Sequence, residues 1–392
     1  MSDKAIYLDH AATTPTDPRV VEAMLPYFTE NYGNPSSTHR FGHKAEAAVN
    51  RARQTIADIL NCARNEIIFT SCATESDNLA LRGAAIAARR ERQRRYVLTS
   101  HAEHHAVSNT AAQLADTADV TVEWLPVDRE GRVAPETLAS ALCKNTIIVS
   151  VMYANNEVGT IQPIRELAAL AHEYGALFHT DAVQAAGQLS LDVKPLGVDM
   201  LALSAHKFYG PKGVGLLYVR DGVKLLPTQT GGGQEHNLRA GTHNVPLIVG
   251  MAKALELAYS DFDTRTTHYR RLRDRLIEGV LSLIPGAYLT GAAGDGRLAN
   301  HASFVFDGVD SNALLMHLDM NGIAASSGSA CDVGNADPSE VLLAMGYDVQ
   351  MALSSLRLTI GQQNTDDDID RVLRILPEAV ARIRQVREVQ ET

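Results

Sequence analysis

Short apolar runs and helix-spaced stretches alternate along this chain. NEIIFT (65–70), RYVLTS (95–100), NTIIVSVMYA (145–154), ALFHTDA (176–182) and VDMLALS (198–204) are such runs, and VTVEWLPVD before the turn at Arg129, Glu130 and Gly131 is another. Each leads into a polar loop and then a helical pattern or the next turn. The unit at 163–182 is the clearest. Pro163 suits a helix's first turn, Leu167, Leu170, Ala171 and Tyr174 share one helical face, and Gly175 is placed to end the helix. Strands that alternate with helices build βαβ units, so the expected sheet is mostly parallel and covered on both faces.

From about residue 260 the pattern changes. Helical YRRLRDRLIEGVLSL leads to strand-like ASFVF, helical SNALLMHLDMNG, strand-like IAASS, helical PSEVLLAMG and strand-like SSLRLTI. A final helix can be capped by Asn364 or Thr365, with three Asp residues complementing its dipole. The expectation is an α/β chain in two parts. Residues 16–258 form a large domain, and 1–15 with 259–392 form a smaller α/β domain.

Charge narrows the partners. Lys and Arg number 36 against 46 Asp and Glu, a net charge of -10, which argues against direct nucleic-acid binding. No apolar run is long enough to span a membrane, and MSDKAIYLDHAATT has no signal-type apolar core. Cys62, Cys72, Cys143 and Cys331 are scattered, with no disulfide framework or C-x-x-C pair. A cytoplasmic protein that touches neither membrane nor nucleic acid is expected.

In open α/β sheets, ligands bind beyond the carboxyl ends of the strands. The loops there read SCATES, HAEHH, NNEVGT, HTDAVQ and SAHKFYGPKG. Asp181 and Gln184 follow one strand, and Lys207 follows the next. A carboxylate can stabilise a protonated pyridine nitrogen, and a lysine amine can form a Schiff base; pyridoxal phosphate (PLP) needs both. Spacing alone does not separate this from a structural Asp–Lys pair. Thr74 and Ser76 in SCATES suit phosphate at a helix start, and equally suit simple capping. His101, His104 and His105 have near-metal spacing, but further ligands are missing, so no metal is expected. A histidine lying over a cofactor ring and a plain surface cluster both remain open. Cys331, in AASSGSACDVGNADPSE, sits among turn-forming polar residues where a thiol is either a bystander or a reagent.

Taken in order, YLDHAATTP, GNPSSTHRFG, FTSCATESDNLAL, EHHAV, NNEVGTIQPI, HTDAVQAAG, SAHKFYGPKGVG, RAGTHNVP, SSGSAC and SSLRLTIG run nearly end to end. In that order they resemble the PLP-dependent cysteine desulfurases of the NifS/IscS type, within the aminotransferase-like, fold type I enzymes. The resemblance implies a large PLP-binding domain with a mostly parallel sheet of seven-stranded type. The smaller domain would carry the cysteine loop. It implies Lys207 as the Schiff-base lysine, Asp181 at the pyridine nitrogen, Gln184 at the ring hydroxyl and His104 over the ring as proton manager. Thr74, Ser204 and His206 would bind the phosphate, joined by Thr242 across a homodimer interface. Asn155 and Arg357 would hold the carboxylate of L-cysteine. Cys331 would take the sulfur as a persulfide, with release of L-alanine, and pass it to an acceptor protein such as an iron–sulfur scaffold or a thiolation enzyme. Ten residues of such a loop, fully extended, reach up to about 30 Å. A selenocysteine lyase, an aminotransferase and a low-turnover PLP-binding partner protein are the rival readings. Three positions depart from the family pattern: Cys72 and His243 stand where glycine and glutamate are usual, and Gln362 where arginine is. The ending REVQET lacks the longer tail with which relatives dock a scaffold, so delivery to one is not implied.

Overall fold

The computed structural model describes residues 5–91, 94–328 and 337–391. Its main sheet has seven strands. From edge to edge they are Ile67–Thr70, Gly215–Val219, Met200–Ser204, Leu177–Asp181, Thr146–Ser150, Tyr96–Ser100 and Thr121–Leu125. All pairings are parallel except those of Gly215–Val219, which runs antiparallel to both its neighbours. That strand is not legible in the alternating pattern. Only residues 205–214 separate it from Ser204. So short a connection can return only antiparallel, since a parallel return needs a crossover of a dozen residues or more.

Apart from the half-exposed edge strand Thr121–Leu125, the strands are buried on both faces, which explains their unbroken hydrophobic runs. Phe69, Phe178, Leu201, Leu203 and Leu216 pack into a core beneath the helices Arg40–Leu60, Ile164–Glu173 and Val245–Ser260. Ile68, Val97, Met200, Ala202 and Leu217 face the other way, against Ala73–Glu91 and His105–Thr117. The helix at 163–175 follows expectation at its ends, with Pro163 as its N-cap and Gly175 at φ +66°. Leu167 and Ala171 are buried, but Tyr174 is exposed at its C-cap.

A second core surrounds a three-stranded antiparallel sheet of Ala287–Leu289, His301–Phe306 and Leu356–Thr359. The helices Phe262–Leu283, Ser311–Met320 and Asp366–Glu391 cover it. The last is capped reciprocally: Thr365 Oγ1 accepts from the Asp368 amide at 3.3 Å and Asp368 Oδ2 accepts from the Thr365 amide at 2.9 Å. Ile6 and Leu8 bury into this second core, and Ile6–Tyr7 pairs in parallel with Ile323–Ala324. The run IAASS therefore makes only a two-residue strand. Its continuation, Ser326, forms an isolated bridge to Arg357. Among the described residues, no helix is long and apolar enough to cross a membrane.

Candidate active site

The carboxyl edge of the large sheet opens into a cavity of about 280 Å³. Asp181 and Ser204 are the last residues of adjacent strands, and one tight turn, Ala205–Lys207, brings His206 and Lys207 to the same mouth. Gln184 lines the wall beside them, and Thr74 does so from the opposite side. His104 reaches in from the cap of its helix, and Arg357 from the second sheet.

The N-terminal segment closes one wall. Lys207 Nζ donates to the carbonyls of Ala11 and Ala12 at 2.5 and 2.8 Å, and Gln184 Nε2 donates to Ala11 at 2.9 Å. His206 Nδ1 lies 3.1 Å from Thr13 Oγ1. Burial, reinforced by Lys207 and Lys212, lowers the His206 imidazole to about 4, so it is neutral at physiological pH.

His104 Nδ1 accepts the Ala106 amide at 3.0 Å. That hydrogen bond puts the neutral ring's proton on Nε2. Burial lowers its affinity for a second proton; Asp181 opposes this and Lys207 adds to it. Asp181 Oδ1 accepts the Val183 amide at 2.9 Å. Burial raises its pKa, while His104 and Lys207 pull it back down. A cation at this carboxylate would therefore be strongly favoured.

The helix Ala73–Glu91 starts earlier than a reading of SCATES as a loop implies, so Thr74 stands in its first turn at the cavity. Helix N-termini attract anions such as phosphate. Ser76, the other hydroxyl singled out there, is fully buried and turned to Thr70 Oγ1 at 2.8 Å, away from any ligand. Cys72 lines the cavity, so a thiol does lie at the site. His101 stacks on Trp124, with ring centroids 5.6 Å apart, and takes no part.

Asn155, expected at the substrate carboxylate, does not line the cavity. Its amide is fully buried: Oδ1 accepts the Glu157 and Val158 amides of its own turn at 2.8 Å, and Nδ2 donates to Ala102 O, beyond the strand Tyr96–Ser100, at 2.9 Å. Asn156 lines the cavity instead. Thr242 stands on an exposed loop outside this chain's cavity. Cys331 lies outside the described residues; Gly328, the last described residue before it, lines the cavity.

Two buried acids were not foreseen. Asp77 lines the cavity floor, fully buried, 3.4 Å from His179 Nε2 and with no hydrogen bond to either carboxyl oxygen. Glu103 accepts from Ser100 Oγ at 2.6 Å and the Met152 amide at 3.0 Å, and burial pushes its carboxyl up to about 8. The charged D in SCATESD and the E in HAEHH were the available signals. On a helix start or loop, either also reads as an ordinary solvated acid.

The pattern that defines the class-V aminotransferases matches residues 6–372. The chain belongs to the aminotransferase class-V family. A curated relative, cysteine desulfurase IscS of Methanosarcina thermophila, is 48% identical over 384 residues, covering 98% of this chain and 94% of the relative. A solved NifS-like protein superposes with a TM-score of 0.89 at 37% identity, covering 96% of this chain and 99% of that one. The structure titled SspA in complex with cysteine gives 0.76 at 34% identity, over 91% and 98%. Class-V architecture, with its seven-stranded, mostly parallel sheet, is therefore the fold type I arrangement that the motif order implied.

Proposed function

We propose that the chain is a PLP-dependent cysteine desulfurase that converts L-cysteine to L-alanine and takes the sulfur on Cys331 as a persulfide. The observation that carries this reading is one cavity lined by the Lys207 amine, the buried Asp181 carboxylate and the Arg357 guanidinium. The residues present fit the cofactor. The buried Asp181 carboxylate suits a ring cation, and a helix start with the hydroxyls of Thr74 and Ser204 suits a phosphate. When bound, the cofactor supplies an electron sink for bond breaking at the substrate's α-carbon.

Each side chain then has a task. Asp181 would hold the proton on the ring nitrogen, and Gln184 would meet the ring hydroxyl. Lys207 would tether the cofactor and move the α-proton. His104, with its proton on Nε2, would lie over the ring and manage the thiol protons. Ser204, His206 and Thr74 would take the phosphate, with Thr242 supplied by a second copy in a homodimer. Arg357 would take the substrate carboxylate without Asn155, whose amide is occupied. Residues 16–258 would be the cofactor domain, and 1–15 with 259–392 the smaller domain carrying Cys331; the two separate sheets, each with its own apolar packing, support that division. A sulfur-acceptor protein and a cytoplasmic setting complete the reading. Free, scattered Cys62, Cys72 and Cys143 support the latter.

The test measures alanine and sulfide formed per bound cofactor. Cys331→Ala should keep the cofactor's visible absorbance and lose sulfide release. Undiminished sulfide release from that variant overturns the assignment of Cys331, and a wild-type chain that takes up no PLP overturns the whole reading.

A further inference from the structure

Four cavity residues are held by one short piece of chain, residues 9–14. Ala11 and Ala12 receive Lys207, Ala11 also receives Gln184, and Thr13 meets His206. The fourth contact is Asp9, which neither lines the cavity nor has a place in the chemistry above. Its Oδ1 accepts from Arg357 Nη2 at 2.9 Å.

Arg357 is nearly buried, with its side chain 4% exposed. Nη1 donates to the Asn156 carbonyl at 2.9 Å, and the backbone pairs in both directions with Ser326. Nε is buried with no hydrogen-bond partner. A guanidinium carries five donors in a rigid fork, and a buried donor left unpaired is costly. Two corners of this fork are pinned by protein, the third finds no acceptor among the described residues, and the side chain lines the cavity. Tyr7, His301 and Glu157 also feel its charge. Glu157, half-buried and hydrogen-bonded to Ser339 Oγ at 2.5 Å, is the other carboxyl that interacts with the guanidinium charge, and so an alternative partner for it.

We infer that Asp9 is a positioning residue: it aims Arg357 so that the unpaired part of the fork meets the α-carboxylate of the substrate. This rests on the proposed role of Arg357 as the carboxylate receptor. Asp9 acts through geometry, and its own negative charge works against a second carboxylate at the same fork. The two effects can be separated. Removing the side chain frees Arg357 to swing toward Glu157, whereas replacing it by the amide keeps an acceptor in place and deletes only the opposing charge.

The experiment is calorimetric binding of L-alanine, the expected product, to the PLP-loaded enzyme, with ethylamine as a probe that lacks the carboxylate. Asp9→Ala should bind L-alanine at least tenfold more weakly than wild type, with ethylamine unchanged. Asp9→Asn should bind L-alanine as tightly as wild type, or more tightly. In turnover, Asp9→Ala should raise KM for cysteine with kcat altered less than threefold. Equal or tighter L-alanine binding by Asp9→Ala overturns the inference, because Asp9 would then only offset charge. An equal loss for ethylamine also overturns it. A wild-type enzyme that binds L-alanine no better than ethylamine instead sinks the role of Arg357, and this inference with it.

Discussion

Lys207 and Asp181 stand at or just beyond the ends of parallel strands, whereas Arg357 stands inside an antiparallel one. The large sheet presents its reactive groups from loops, which tolerate polar side chains because they border the cavity. The small sheet sends one guanidinium out of a fully buried strand, and must satisfy it from elsewhere: Asn156 from a loop beyond the large sheet and Asp9 from the N-terminal segment. The difference teaches that the cofactor half of the site is gathered along one sheet edge, with the N-terminal segment closing its wall. The substrate half exists only where three distant stretches meet.

Lys207→Ala is expected to have the largest effect. Loss of the group proposed to tether the cofactor and move the α-proton should lower turnover by at least about a hundredfold. It should also change the visible spectrum of the loaded protein; an unchanged spectrum breaks the cofactor half of the contrast. Arg357→Lys should act on the other half alone. A lysine cannot reproduce the fork, so KM for cysteine should rise roughly tenfold to a hundredfold, while the spectrum without substrate stays as it was. Steady-state kinetics beside that spectrum checks both parts.

The remaining two predictions sharpen the description of the large sheet. Gly215 pairs with Thr70 and Ser204, and a Cβ there would sit 2.6 Å from the Cys72 carbonyl carbon and 2.8 Å from Leu203 O. Gly215→Ala should cost about 1–3 kcal/mol in chemical denaturation and weaken PLP binding by pushing the helix start aside. Glu103 should give the smallest effect. Between its unfolded value near 4.3 and its folded value of about 8, the folded chain holds a proton that the unfolded chain has lost. Its contribution to stability therefore falls as pH rises through that window. Glu103→Gln removes this loss, so its Tm should gain on wild type by about 2–4 °C or more between about pH 5 and about pH 8. A gap that stays constant over that range would show that Glu103 is ionised in the fold.

Legibility followed the range of the interactions. Gly175, Pro163 and the Thr365 cap act within one turn of helix, and each was readable where it stands. So were Asp181 and Lys207, because strand ends in such a sheet face ligands whatever the detail. Asn155 and Asn156 are identical in type, so only the packed turn decides that Asn156 lines the cavity while the Asn155 amide binds Glu157 and Val158. Ser76 was misplaced because the helix begins three residues before it, turning its hydroxyl to Thr70.

Alternating apolar runs, acid and amine at neighbouring strand ends, and the order of the motifs determined the α/β class, the family resemblance and the cofactor chemistry. These rest on local periodicity and on residue type. Tertiary structure alone decided that Gly215–Val219 runs antiparallel, that Asp77 and Glu103 are buried, and that Asp9 meets Arg357 across 348 positions of chain. Those outcomes depend on which buried polar groups find partners, and a buried charge is satisfied by whatever the fold brings to it, however far away in sequence.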